Sequence, residues 1–113
     1  MKLIFAAALI AALPIAYEAR AGWGAIAYNP NTGSSSESHQ YPALPDALNA
    51  AMTACGTGCL IVTWEHDNCI AFAVSPDGVW GSSSNAPSQA AATDGALKAC
   101  NRADCTVKQA ACE

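Results

Sequence analysis

One pattern of cysteines, turn residues and apolar spans occurs twice in this 113-residue chain. A small unit written twice confines the chain to folds with an internal symmetry axis. The first copy runs Ala25-Ile26-Ala27-Tyr28-Asn29-Pro30, then Gly33, then Leu48 to Ala54-Cys55, Cys59 and Cys69. The second runs Ala71-Phe72-Ala73-Val74-Ser75-Pro76, then Gly78, Leu97-Lys98-Ala99-Cys100, Cys105 and Cys112. A shift of 45 to 46 residues lays Pro30 on Pro76 and Cys55 on Cys100. The expected division is a first repeat over about 23–68 and a second over about 69–113.

Each copy reads as strand, turn, strand, helix, strand. Trp23 to Tyr28 alternates small and large residues, Asn29-Pro30-Asn31-Thr32-Gly33 is a turn, and Ser34 to Tyr41 returns as a partner strand. Its counterpart is Cys69 to Val74, the Ser75-Pro76-Asp77-Gly78 turn, and Val79 to Ser84. The serine-rich pieces 34–38 and 82–84 are then solvent-facing strands rather than linkers. Leu44, Ala47, Leu48, Ala51, Met52 and Cys55 lie on one helical face, with Pro45 in the first turn, where a missing N–H is harmless. Ala92, Thr93, Ala96, Leu97 and Cys100 repeat that face behind a Ser88 N-cap. Leu60 to Trp64 is the strongest strand and Cys105 to Lys108 its fainter image. The expected class is α+β: a two-layer domain of two tandem ββαβ repeats with pseudo-twofold symmetry, an antiparallel-rich sheet, two helices on one face, and disulfides to stabilise it.

Met1-Lys2, the apolar run Leu3 to Ala16 and Ala19-Arg20-Ala21 have the form of a secretory signal peptide spanning 1–21, cleaved before Gly22. The apolar run is short for a membrane span and Pro14 interrupts it, so residues 22–113 are expected as one domain with no membrane insertion. That part carries Lys98, Arg102 and Lys108 against eight carboxylates, a net charge of about −5. Such a surface repels phosphate backbones and argues against nucleic-acid binding.

Six cysteines in an exported chain of this size point to an oxidising compartment, secreted or periplasmic, and to a disulfide framework. Metal ligation fits poorly, because Cys55-x3-Cys59 and Cys100-x4-Cys105 miss the usual zinc spacing. Six cysteines allow fifteen pairings, of which seven survive exchange of the copies by enumeration. Three cysteines per copy cannot all pair internally, so at least one bridge is expected to join the halves. Cys55–Cys59, Cys100–Cys105 and Cys69–Cys112 is the favoured set, the first two being short staples at helix ends.

The Trp23-Gly24-Ala25-Ile26-Ala27-Tyr28 hexad, a helix ending Ala54-Cys55, Cys59, and a second strand opened by Cys69 together resemble the bacterial domain of unknown function 4189 family, over essentially the whole of 22–113. The resemblance implies an exported bacterial protein and transfers no catalytic residue. The chain departs from the family at its helix starts, where Ala43, Leu44, Ala90 and Ala91 stand in place of expected charged residues.

The densest polar cluster is Glu65-His66-Asp67-Asn68, beside Trp64. An imidazole between carboxylates suits general-base or metal chemistry, but Asp67-Asn68 is ordinary turn chemistry and adjacent strand residues face opposite ways, so a solvated hairpin tip is the favoured reading of the run itself. The second copy has only Gln109-Ala110-Ala111 there, so no repeated structural need explains the cluster. No Gly-x-Ser-x-Gly elbow and no Cys-x-x-Cys occur. The leading expectation is a non-enzymatic binding or inhibitory module without cofactor or metal. Trp64, Glu65, His66 and Asp67 would form its contact surface for a protein with a basic face. The alternatives are a small hydrolase or metal-dependent enzyme built on Glu65, His66 and Asp67, and an envelope protein with no dedicated ligand.

Overall fold

Pro30 and Pro76 each begin a tight reversal, and Gly33 and Gly78 complete it with φ of 83° and 92°, a region open to glycine at little cost. These reversals join the first two strands of each repeat in the computed structural model, which describes residues 22–113. The expected leader, 1–21, lies outside the described residues. The elements are β1 (Trp23–Tyr28), β2 (Ser35–Tyr41), α1 (Leu44–Cys55), β3 (Leu60–His66), β4 (Cys69–Val74), β5 (Trp80–Ala86), α2 (Gln89–Cys100) and β6 (Thr106–Cys112). This is the expected ββαβ order twice over. Pro45 lies in the first turn of α1, and Ser88 caps α2 by accepting from the Ala91 N–H at 3.1 Å.

The strands form two antiparallel three-stranded sheets, ordered β2-β1-β3 and β5-β4-β6. Their registers match: Trp23 lies opposite Tyr41 and His66, as Cys69 lies opposite Ala86 and Cys112. Each sheet is bulged at the same places, with Val62 and Lys108 as the extra residues. Gln40 and Asn85, at the other pair of bulges, have φ of 58° and 61°.

The layering differs from a single sheet with both helices on one face. Ala25 and Ala27 meet α1, Ala71 and Ala73 meet α2, and the alternate residues Ile26, Tyr28, Ile70, Phe72 and Val74 form a separate cluster between the sheets. Strands β1 and β4 are thus buried on both faces, with Ala25, Ile26, Ala27 and Ile70 through Ala73 all at 0% exposure. One flat sheet would leave the Ile, Tyr and Phe stripe in water, so the two sheets cover each other and the helices take the outer faces.

The helices come close because what lies beneath them is small. Ser36 Oγ donates to the Ala51 carbonyl at 2.7 Å, Ser38 Oγ to that of Ala47 at 2.8 Å, and Ser83 Oγ to that of Ala92 at 2.5 Å. The serine-rich strands are therefore not simply solvent-facing: alternate hydroxyls are tied to helix carbonyls. Gly81 lets the last turn of α2 rest on β5, where a Cβ would strike the backbone of Ala99 and Cys100.

The bridges are Cys55–Cys59, Cys100–Cys105 and Cys69–Cys112, and no free cysteine remains among the described residues. The first two staple each helix end to the next strand, with Cα separations of 6.2 and 6.4 Å. Cys69–Cys112 ties β4 to β6 inside one sheet at 4.0 Å. No bridge joins the halves, contrary to expectation, because Cys69 opens the second unit and its positional relative is Trp23.

Candidate functional site

Helix α1 follows β2 directly and lies over β2 and β1, leaving much of the outer face of β3 uncovered. Trp64 and His66, two residues apart on β3, share that face. His66 lies opposite Trp23, and Trp64 lies opposite Ala25. The His66 and Trp23 rings stack at 4.3 Å and 7°, and Tyr41 extends the row on the other side of Trp23. Trp64 is 50% exposed and Tyr41 36%. Tyr41, Trp23, His66 and Trp64 thus make one aromatic surface at the end of the first sheet away from its hairpin turn.

The remaining expected residues fall on either side of it. Asp67 has φ 66°, donates its N–H to the Gly22 carbonyl at 3.2 Å, and brings Oδ1 within 3.5 Å of His66 Nε2. Glu65 alternates to the opposite face of β3, beside Gly24. The Glu65-His66-Asp67 run is therefore not one convergent triad, and its place is the link between the two sheets rather than a hairpin tip. Trp80 also lies apart, among Tyr28 and Phe72 at 6.4 and 5.9 Å. Tyr41 is not among the expected contact residues, and Trp23, a candidate contact by its type, is brought beside His66 only by strand pairing. Their shared register position was the missing signal, and it depends on a bulge that spacing does not reveal.

Comparison of the repeats isolates what is special about this surface. At the same backbone positions the second sheet has Ala86 for Tyr41, the Cys69–Cys112 bridge for the Trp23–His66 stack, and Ala110 for Trp64. The fold is satisfied there by a bridge and two methyl groups. Charge divides in the same direction: residues 22–68 contain Glu37, Asp46, Glu65 and Asp67 and no Lys or Arg. All three cations of 22–113 lie in the second repeat, where Lys98 pairs with Asp94 at 2.9 Å and Arg102 with Asp77 at 2.8 Å.

A second polar cluster surrounds the other histidine. His39 Nε2 lies 3.0 Å from Glu37 and Nδ1 lies 3.2 Å from Glu113, whose carboxylate is fully buried and also accepts from the Gln40 N–H. Both imidazole nitrogens are engaged, so this cluster is a clamp between β2 and the residue after β6. Among the described residues no group of three or more His, Cys, Asp or Glu is placed to hold a metal, and no helix is long and apolar enough to cross a membrane.

No curated protein and no solved structure matches the chain. The domain of unknown function DUF4189 matches residues 23–112, from the first residue of β1 to the last of β6 and so through both repeats. The chain belongs to the DUF4189 family.

Proposed function

We propose that this protein is an exported, non-enzymatic binding module that docks a partner with a basic surface on the Tyr41, Trp23, His66 and Trp64 face. The observation that carries the reading is the asymmetry of the repeats: one scaffold position is closed by a bridge and alanines in one half and spread into exposed rings in the other. Rings with the Asp67 carboxylate beside them, in a half with no Lys or Arg, favour Lys or Arg side chains through cation–π and charge attraction. Three disulfides and the leader-like residues 1–21 support a secreted or periplasmic setting. The hydrolytic or metal-dependent alternative has less support, since Glu65 points away from His66 and the imidazole is stacked on Trp23.

The test is capture of partners from the envelope and medium of the producing cells with the oxidised protein and with its Trp64→Ala variant. A half-exposed ring can be removed without harm to the core, and loss of a central aromatic contact of ~2 kcal/mol weakens binding about 30-fold. The reading requires a basic partner that is retained by the native protein, lost with Trp64→Ala and released by salt. Identical capture by both proteins would refute it.

A further inference from the structure

At the opposite end of the sheets, the space between the two hairpin turns opens into a cleft of about 710 Å³ bounded on one side by β6. That volume falls within the ~300–1,000 Å³ of small-molecule sites. Tyr28 and Val74, equivalent residues of the two repeats, lie at its base, both nearly buried. Internal symmetry supplies a control for the rest. Thr106 and Lys108 of β6, which line the cleft, hold the register positions that Leu60 and Val62 hold in β3. On the β3 flank the apolar pair is joined by the Trp80 ring, 6.4 Å from Tyr28. The position equivalent to Trp80 on the cleft flank is Ser35. The β3 flank thus carries apolar side chains, with Leu60 and Trp80 at 40% and 39% exposure, while its symmetry mate carries Thr106, Lys108 and Ser35, whose hydroxyl accepts from Gln109 Nε2 at 3.1 Å.

Three charged residues line the cleft: Asp77, Asp104 and Lys108. Asp77 is already committed: the Ser75 hydroxyl and then the Arg102 guanidinium hold its carboxylate in the charged form. Lys108 and Asp104 both line the cleft, and neither makes an ion pair among the described residues. An anion alone would leave Asp104 facing it, and a cation alone would leave Lys108. We propose that the cleft binds a small zwitterion, an amino acid or dipeptide, whose carboxylate meets Lys108 and whose ammonium meets Asp104, with the Thr32 and Thr106 hydroxyls beside them. This site is separate from the aromatic face and stands whether or not that face binds a protein.

Amide chemical shifts of the intact oxidised protein, titrated with alanyl-alanine to ~10 mM, test the proposal in a range where weak sites register. The expected result is saturable shifts at Thr32–Gly33, Ser75–Gly78 and Thr106–Lys108. N-acetyl-alanyl-alanine, which lacks the ammonium, and alanyl-alaninamide, which lacks the carboxylate, each bind at least ~10-fold more weakly, the effect of one lost charge-assisted contact. Lys108→Met and Asp104→Asn, both at exposed positions, produce similar losses. The proposal is overturned by absence of shifts, by equal binding of the blocked dipeptides, or by shifts confined to the Trp64 face. Undiminished binding by both Lys108→Met and Asp104→Asn overturns it as well.

Discussion

Removing the Cys69–Cys112 bridge should cost about twice as much stability as removing Cys100–Cys105, although both bridges lie in the second repeat. The first spans 43 residues and the second 5. Loop-closure entropy withdrawn from the unfolded chain gives about 4 kcal/mol for the long loop and about 2 kcal/mol for the short one. One cysteine of each bridge is buried, Cys69 at 5% and Cys100 at 2% exposure; of their partners Cys112 is exposed and Cys105 half-buried, so burial works against the expected order rather than for it. The absolute values matter because the core is thin. Its largest fully buried side chains are Phe72, Ile26 and Ile70, and most of the rest is alanine. Domains of this size have roughly 5–15 kcal/mol in total, so a loss of ~4 kcal/mol is a large share. Cys69→Ala/Cys112→Ala and Cys100→Ala/Cys105→Ala should be compared by equilibrium guanidinium unfolding under non-reducing conditions. The β4–β6 ladder keeps its backbone hydrogen bonds in the first variant, so it should still fold. The expected gap of ~2 kcal/mol corresponds to roughly 10 °C in melting temperature. Equal losses, or a greater loss for the short loop, would refute the entropic reasoning and place the stabilisation in native-state contacts.

Gly81→Ala should destabilise by ~2 kcal/mol or more, since its Cβ meets the backbone of Ala99 and Cys100. Gly78→Ala, with open space but φ 92°, should cost only ~1 kcal/mol, and thermal melts of the two variants check the order. Phe72→Ala, which empties the space between the sheets, should cost ~3–5 kcal/mol, while Trp64→Ala stays within ~0.5 kcal/mol in the same unfolding assay. The Asp77 carboxyl is held below its ordinary pKa chiefly by the Ser75 hydroxyl and then by Arg102, so its contribution is present above the unfolded value and fades as pH falls through the folded one. The melting-temperature gap between wild type and Asp77→Asn should accordingly narrow from about pH 6 to about pH 2.5, and a gap that widens would contradict the assignment.

Duplication, element order and the two short bridges are legible in the chain because they depend on local chemistry, whereas the 43-residue Cys69–Cys112 bridge follows only from the symmetry of the repeats. Turn residues at Pro30-to-Gly33 and Pro76-to-Gly78, apolar spacing on 44–55 and a serine before 89 act within a few residues of themselves. Layering was not legible. The alternation of Ala with Ile, Tyr or Phe on β1 and β4 says that both faces are apolar, and only tertiary contact decides whether a helix or another sheet covers the second face. Trp64 and His66 are recognisable in the sequence as one unrepeated cluster, whereas Glu65 parts from them because alternate residues of a strand face opposite ways. Trp23 and Tyr41 joined the surface through a register set by a bulge, with partners 43 and 18 residues away in the chain. Even the role of Cys69 turned on register: spacing made it the third cysteine of the first copy, while strand pairing made it the opening residue of the second and the positional equivalent of Trp23. Local propensity wrote the elements, and packing two two-faced sheets against each other decided which side chains were left for water and for a partner.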